Sequence, residues 1–216
     1  MKLYCFPPSP NTWKVLAAAH EMKVPLELAI VDLTKGEQRK PDYLALNPTG
    51  RTPTLVDGGF ALWESSAILH YLADQTETPL WSRDARTRAD IARWESWHGQ
   101  HWSRGVVPFL FENLVKGVMK LGAPDETVLA QAGQLFHQEA AVLDRHLGRQ
   151  EWLVGKTATL ADFVVVAPLV YAEPAKIPLD QYANIPALAR RAGGHAGLAA
   201  DRTEAAGCYL APAPMC

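Results

Sequence analysis

The sequence predicts two domains of different class, an N-terminal α/β domain with a mixed four-stranded sheet and a C-terminal bundle of helices. In the first 76 residues, short strand and helix patterns alternate in the order β-α-β-α-β-β-α. A crossover that contains a helix joins parallel strands, whereas a short glycine turn joins antiparallel ones, and this order contains both. After Asp74 the long patterns are all helical, which places an all-α domain in the second half.

Each N-terminal element has its own local signal. Lys2–Phe6 is a short strand pattern stopped by Pro7-Pro8, and Thr12–Met22 carries apolar residues at helical spacing without a breaker. The remaining predicted elements are a strand in Pro25–Leu33, a short helix through Tyr43-Leu44, strands at Thr54–Val56 and Phe60–Trp63 around the turn Asp57-Gly58-Gly59, and a helix at Ser65–Ala73.

The second half is dominated by helical periodicity. Leu160–Tyr171 is apolar nearly all round, which is typical of a helix at the centre of a bundle. We predict an N-terminal domain at 1–76, a linker at 77–86, a helical domain at 87–216, and a largely irregular stretch from Gly193 onward. One long helix is indicated by an unbroken apolar stripe that consists of Leu129, Ala132, Phe136, Ala140, Leu143 and Leu147.

Composition narrows the class of protein. Hydrophobic residues make up 48% of the 216 residues and charged residues 20%, as in an ordinary soluble globular protein. A net charge of -2 gives no basic footprint for nucleic acid, and no apolar run approaches the ~20 residues that a membrane span needs. Cys5, Cys208 and Cys216 are too few for a disulfide framework, so we expect a reduced, cytoplasmic setting.

One segment combines several signals for binding a small anionic peptide. Asn47–Leu55 contains a proline-terminated turn and the start of a strand, and Glu64-Ser65 follows at the beginning of a predicted helix. The first part can expose backbone for pairing, and a helix N-terminus favours a carboxylate. This segment resembles the glutathione-binding segment of the glutathione S-transferase superfamily. The resemblance implies a thioredoxin-like domain followed by an all-α domain.

The same resemblance assigns roles within this segment. It implies that Pro53 is cis and that the backbone of Thr52 pairs with the cysteinyl unit of glutathione. It implies that Glu64 binds the α-amino group of the γ-glutamyl unit, and that Ser65 binds its carboxylate. Two simpler interpretations compete with these roles: Pro53 is an ordinary trans residue that opens a strand, and Ser65 only caps the helix.

The loop before the first helix is the predicted catalytic segment, with Ser9 and Asn11 as candidate thiolate donors and Thr12 as a further contact. A thiol pKa of ~8.5 falls by about two units if the anion gains ~2.7 kcal/mol. One hydroxyl hydrogen bond to a charged group supplies ~1.5–3 kcal/mol, and a helix N-terminus adds up to about 1 kcal/mol. The loop resembles the Ser-type loops of the theta and phi classes, and Ser9-Pro10-Asn11 resembles the Thr-Pro-Asn loop of the bacterial nu class.

Basic and polar residues elsewhere complete the predicted glutathione site. Gln38, Arg39 and Lys40 match the region that holds the glycyl carboxylate in the superfamily, although a solvated helix edge has the same composition. Arg51 stands where the motif commonly has Gln, and we include it among the predicted contacts.

The helical half contains a dense group of aromatic and histidine residues, whose members are Trp94, Trp97, His98, His101 and Trp102. His98 and His101 lie about one helical turn apart, but no nearby set of acids or cysteines completes a metal site, so we predict no metal. We expect Trp102, Val106 and Phe109 to line the pocket for the second substrate. Thr159-Leu160-Ala161-Asp162 reads as a capping box that is structural in the superfamily.

Together these observations predict a cytosolic glutathione S-transferase, a homodimer that activates the glutathione thiol for attack on a hydrophobic electrophile. Three other functions stay open at this point, of which one, an accessory module of a translation or stress factor, would need extra domains or charged tails that we do not expect here. The resemblance to the nu class implies glutathione-dependent reduction of disulfides or peroxides. A non-catalytic member of the superfamily would bind glutathione or another ligand without turnover.

Overall fold

The structure of the protein is a computed structural model that describes residues 1–195. Most of the stretch predicted to be irregular, together with Cys208 and Cys216, lies outside the described residues. The N-terminal elements are β1 (Lys2–Cys5), α1 (Pro10–Glu21), β2 (Glu27–Ile30), α2 (Pro41–Leu46), β3 (Thr54–Asp57), β4 (Phe60–Trp63) and α3 (Ser65–Asp74). Two 3₁₀ turns, Leu33–Lys35 and Glu37–Arg39, connect β2 to α2.

The four strands form one mixed sheet in the order β2-β1-β3-β4. β1 pairs with β2 in parallel, since the connection between them contains α1, and β1–β3 and β3–β4 are antiparallel. The predicted α/β class and element order are therefore confirmed. The second strand is shorter than Pro25–Leu33, because the chain leaves the sheet after Ile30 and Asp32 caps a 3₁₀ turn through its bond to the Thr34 N–H.

The first helix begins two residues before the predicted start. Ser9 is its N-cap, and the Ser9 Oγ accepts a hydrogen bond from the Asn11 N–H at 3.2 Å. Pro10 occupies the first helical position, where its missing N–H costs no hydrogen bond and its fixed φ suits the helix. The start at Pro10 places the positive end of the helix dipole directly behind Ser9.

The helical half consists of α4 (Ala85–Trp97), α5 (Ser103–Leu110), α6 (Lys116–Met119), α7 (Glu126–Leu147), α8 (Leu160–Val166) and α9 (Asn184–His195). Two π-helical turns, His98–Trp102 and Phe111–Val115, join α4, α5 and α6 into one run. Pro108 lies inside α5. The division at a linker of 77–86 stays a prediction, although α3 ends at Asp74 and α4 begins at Ala85.

The core of the helical half forms where α5 crosses α7. A Cβ atom on Gly105 would lie 2.7 Å from the Cα and N of Phe136, so the crossing requires glycine at this position. Phe136 is fully buried there. The stripe predicted on α7 is buried at Ala132, Phe136, Ala140, Leu143 and Leu147, with Leu129 partly buried.

The predicted capping box at the start of α8 is present. Asp162 is fully buried, and its carboxylate accepts hydrogen bonds from the Leu153 N–H at 2.9 Å and the Thr159 N–H at 2.7 Å. Burial raises the pKa of Asp162 to about 6, against the opposing effect of these hydrogen bonds. Among residues 1–195, no helix is both long and apolar enough to span a membrane.

Candidate functional site

A cavity of about 460 Å³ lies between the loop before α1 and the helical run that contains α5 and α6. The N-terminal side supplies Phe6, Pro8, Ser9, Pro10, Asn11, Leu33, Thr34 and Gln38. The helical side supplies His98, Ser103, Val107, Leu110, Phe111, Leu114, Val115, Val118, Met119, Ala167, Pro168 and Tyr171. A larger cavity of about 720 Å³ lies along residues 73–88, away from every predicted site residue, and we place the function in the first cavity.

Two of the three catalytic-loop candidates reach this cavity. Ser9 and Asn11 both line it. Because Ser9 Oγ caps α1 as an acceptor, its hydroxyl proton remains available for donation to an atom in the cavity. Thr12 does not line the cavity: it is fully buried, and its Oγ1 has no hydrogen-bond partner among the described residues. The start of α1 at Pro10 places Thr12 on the buried face of that helix, and its contact with a ligand stays a prediction.

A hydrogen bond across the cavity holds the loop before α1. The Tyr171 hydroxyl donates to the Pro8 carbonyl at 2.8 Å, and Tyr171 belongs to the 3₁₀ turn Ala167–Tyr171 that follows α8. Within the loop, the Ser9 N–H donates to the Phe6 carbonyl at 2.9 Å. The helical half therefore takes part in positioning Ser9.

The loop before β3 has the geometry that the resemblance implies. The Thr52–Pro53 peptide bond is cis. The Tyr43 hydroxyl and the Asn47 side-chain amide both donate to the Arg51 carbonyl, and both contact the buried Thr54 Oγ1 at 2.9–3.0 Å. In the part of the chain that the structure describes, the Thr52 N–H forms no hydrogen bond. A fixed loop thus presents a free backbone donor.

The start of α3 is an uncapped helix N-terminus. Glu64 is its N-cap residue with φ of 70°, a left-handed conformation that is uncommon for a residue with a side chain. The first helical bond runs from the Ile68 N–H to the Glu64 carbonyl at 3.0 Å, and no side chain caps the preceding N–H groups. Ser65 is buried in the first helical position and does not act as the cap. These donors suit a carboxylate ligand.

The residues predicted for the glycyl end take different positions. Gln38 lines the cavity, and its buried Oε1 has no partner among residues 1–195. Arg39 packs against Gly50, where an added Cβ atom would lie 3.0 Å from Nη1 of Arg39. Lys40 pairs with Glu37 at 2.9 Å and is largely exposed, and Arg51 is exposed. The structure brings Gln38 to the cavity, and none of the three cations lines it.

The structure places the residues predicted for the second-substrate pocket in the core of the helical half rather than on this cavity. Trp102 and Val106 are fully buried and Phe109 is 8% exposed, and none of them lines the cavity. The Trp102 indole donates to the Val165 carbonyl at 3.1 Å inside the core. A π turn inserts one extra residue into a helix, so the turn at His98–Trp102 shifts the inward face by one position relative to regular spacing. The cavity wall is therefore formed by neighbours such as Val107 and Leu110.

His98, which was not among the predicted site residues, lies on the cavity wall. Its Nδ1 lies 3.5 Å from the Ser103 Oγ. Burial, together with the positive charge of Lys14, lowers the pKa of His98 to about 3, so its imidazole is neutral at neutral pH. Regular helical spacing in the sequence did not indicate that His98 would face the cavity. Within residues 1–195, no group of three or more His, Cys, Asp or Glu side chains could hold a metal ion.

Comparisons with known proteins agree with this geometry. The family model described as "Glutathione S-transferase, N-terminal domain" matches residues 8–75, and the one described as "Glutathione S-transferase, C-terminal domain" matches residues 104–191. The chain belongs to the glutathione S-transferase family and is a glutathione transferase, with a thioredoxin-like N-terminal domain and a helical C-terminal domain.

Particular relatives are similar over most of their length. Glutathione S-transferase 3 of Zea mays is 36% identical over 165 residues, which cover 75% of this chain and 73% of the relative. The crystal structure of glutathione transferase F7 from Populus trichocarpa has a TM-score of 0.86 at 25% identity, covering 93% of this chain and 98% of that one. A glutathione S-transferase-I bound with lactoylglutathione has a TM-score of 0.80 at 25% identity, covering 91% and 98%.

Proposed function

We propose that the protein conjugates glutathione to an uncharged, apolar electrophile, with Ser9 and Asn11 stabilising the glutathione thiolate. The observation that carries this proposal is that both side chains line the same cavity as an apolar helical wall. Glutathione is the substrate of the family, and a similar protein binds the glutathione derivative lactoylglutathione.

The proposed thiolate site is supported by three features, each of which would stabilise a negative charge on the glutathione sulfur. The Ser9 hydroxyl has a free proton, the N-terminus of α1 begins at the next residue, and Asn11 offers an amide donor. A hydrogen bond to an anion contributes ~1.5–3 kcal/mol, and a helix N-terminus adds up to about 1 kcal/mol. Lowering the thiol pKa by about two units needs ~2.7 kcal/mol, so these groups suffice.

The rest of glutathione would extend from this cavity toward Thr52, Glu64 and Ser65. In this arrangement, the Thr52 backbone pairs with the cysteinyl unit, and Glu64 and Ser65 hold the γ-glutamyl end. Its support is the unpaired Thr52 N–H and the uncapped N-terminus of α3. Gln38, Arg39, Lys40 and Arg51 lie around the region proposed for the glycyl carboxylate.

The apolar wall supports the choice of electrophile. Val107, Phe111, Val115 and Met119 are each about 40–50% exposed where they line the cavity, and an apolar ligand would cover them. The neutral imidazole of His98 adds a polar group without a charge. We extend the proposal to a cytoplasmic homodimer with a role in detoxification, which sedimentation equilibrium of the purified protein and fractionation of cells would test.

Ultraviolet titration of bound glutathione tests the thiolate site. We expect wild type to bind glutathione with a thiol pKa one to two units below ~8.5, and Ser9→Ala or Asn11→Ala to raise that pKa. Ser82→Ala is a matched control, because Ser82 Oγ also accepts the N–H two residues ahead but lies outside this cavity. Absence of glutathione binding would overturn the proposal. Binding with an unshifted pKa would favour a non-catalytic binder, and oxidised glutathione as a product would favour a reductase.

A further inference from the structure

His98 belongs to the small polar part of the helical wall of the 460 Å³ cavity. On this wall, the polar side chains are those of His98, Ser103 and Tyr171. The Tyr171 hydroxyl already donates its proton to the Pro8 carbonyl at 2.8 Å. The side-chain hydrogen-bonding capacity that this wall can offer to a ligand is therefore concentrated in the pair of His98 and Ser103.

The two ring nitrogens of His98 have different surroundings. Nδ1 lies 3.5 Å from the Ser103 Oγ, a long hydrogen bond. Nε2 has no hydrogen-bond partner among residues 1–195 and is not sealed off by protein atoms. Because the side chain lines the cavity, Nε2 is the ring nitrogen that can contact a ligand.

These contacts select one tautomer of the ring. In the described part of the chain, the Ser103 hydroxyl has no acceptor other than His98 Nδ1, so the hydroxyl donates to Nδ1 and the ring proton resides on Nε2. Burial, and after it the positive charge of Lys14, lowers the pKa of His98 to about 3, so the ring is neutral near neutral pH. His98 thus presents an uncharged N–H donor to the cavity.

We propose that His98 is a catalytic residue for apolar electrophiles that carry a conjugated carbonyl group, and that its Nε2–H donates a hydrogen bond to their carbonyl oxygen. This inference rests on the proposed function, because it requires the glutathione thiolate beside Ser9 and Asn11, which line the same cavity. An α,β-unsaturated ketone or aldehyde has an apolar body for the wall and one acceptor for the donor. A cavity of about 460 Å³ is large enough for such a molecule.

In the proposed step, the glutathione sulfur forms a bond to the β-carbon, and the electrons of the carbon–carbon double bond move toward the carbonyl oxygen. The enolate that results carries negative charge on this oxygen, so the hydrogen bond from His98 is stronger there than in the neutral ketone. Water then protonates the α-carbon, and this proton replaces the one that the glutathione thiol released on ionisation. His98 keeps its own proton throughout.

The competing explanation is that His98 only fills the cavity wall. Loss of packing would slow the reaction of every electrophile alike, whereas loss of the donor would slow only the reaction in which charge develops on an acceptor oxygen. The two explanations therefore differ in the ratio of kcat/KM for two electrophiles. This ratio is insensitive to the fraction of active protein in a preparation.

The experiment compares benzylideneacetone, an α,β-unsaturated ketone, with benzyl chloride, an apolar electrophile without an oxygen atom. Steady-state kinetics at saturating glutathione give the ratio of kcat/KM, ketone over chloride, for wild type, His98→Phe, His98→Gln and His101→Phe. We expect His98→Phe to lower this ratio about tenfold or more. His98→Gln retains an N–H donor and should keep the ratio within about threefold of wild type.

His101→Phe is the matched control. His101 belongs to the same π turn, is exposed and does not line the cavity, so its replacement should leave the ratio at the wild-type value. Between about pH 6 and 8 the wild-type ratio should also stay constant, because the His98 ring does not titrate there and the thiolate fraction affects both electrophiles equally.

An unchanged ratio in His98→Phe would overturn the inference and leave the proposed function standing. Equal losses in His98→Phe and His98→Gln would also overturn it, since N–H donation would not be the cause, and so would a wild-type ratio that falls as the pH rises. If wild type conjugates benzyl chloride but not the ketone, only the inference fails. If it conjugates neither, the proposed function fails as well. Should His98→Phe not fold, His98→Leu replaces it with the same expected results.

Discussion

The two sides of the cavity are built in different ways. The N-terminal side consists of short segments whose polar side chains are those of Ser9, Asn11, Thr34 and Gln38, with the N-terminus of α1 behind Ser9. The helical side consists of the run from His98 to Met119 together with Ala167, Pro168 and Tyr171, and apart from His98, Ser103 and Tyr171 its lining is apolar. The first side can specify one ligand by hydrogen bonds, whereas the second can accept any molecule of suitable size and polarity.

This difference between the two sides separates residues that determine the specificity for glutathione from residues that determine the stability of the bundle and the polarity of the wall. On the N-terminal side, a substitution removes a defined donor and should affect glutathione alone. In the helical half, a substitution changes either the packing of the bundle or the polarity of the wall. The predictions below test whether the two sides are in fact separable.

The largest effect is expected in the core of the helical half, at Asp162. Asp162→Ala removes the acceptor for the Leu153 and Thr159 N–H groups, both buried, and should lower the free energy of unfolding by roughly 3–5 kcal/mol. Asp125→Ala is the matched control, since Asp125 caps the exposed start of α7 and should cost about 1 kcal/mol. Urea unfolding followed by tryptophan fluorescence measures both. Equal losses would show that burial of the cap does not matter.

The next effect should be confined to the N-terminal side. Ser65→Ala removes the hydroxyl at the start of α3 and should weaken glutathione binding about 10- to 100-fold, equivalent to ~1.5–3 kcal/mol. Ser66→Ala, one residue further along the same helix, should change the Kd less than about twofold. Isothermal titration with S-methylglutathione gives both values. If steady-state kinetics of Ser65→Ala showed the KM for the electrophile rising as much as the KM for glutathione, the two sides of the cavity would not be separable.

A smaller effect should be confined to the helical side. Val115→Asp places a charge on the apolar wall and should raise the KM for an apolar electrophile about tenfold, with the Kd for glutathione unchanged. Val128→Asp is the control, because Val128 is similarly exposed on α7 and does not line the cavity. Steady-state kinetics with a chromogenic electrophile distinguishes the two. A wild-type KM in Val115→Asp would place the electrophile elsewhere.

The smallest effect concerns the contact that joins the two sides. Tyr171→Phe removes the hydrogen bond to the Pro8 carbonyl and should lower the free energy of unfolding by ~1 kcal/mol, with a threefold to tenfold lower kcat as the Ser9 loop loosens. Tyr71→Phe removes a comparable bond to Asp57 within the N-terminal half. It should cost similar stability without the loss of kcat. Unfolding curves and kcat for both variants provide the test, and equal kcat values would show that the two sides act independently.

The sequence predicted the polar side better than the apolar one. Ser9, Asn11 and Gln38 reach the cavity, and the start of α3 is a free helix N-terminus, because each depends on neighbours within a few residues. Trp102 and Val106, which the sequence analysis expected on the pocket wall, lie in the core and do not line this cavity. Their orientation depends on the phase of a long helical run, and the π turn that shifts this phase has no signal in the local pattern.

The sequence by itself determined the element order, the mixed sheet, the capping box at Asp162 and the segments that carry polar donors. These features follow from hydrogen bonding and spacing over short distances along the chain. Only the tertiary structure decided that Thr12 and Lys14 are buried and that His98 faces the cavity beside Ser9. Burial and the lining of the cavity arise from packing of segments up to about ninety residues apart, which no local pattern records.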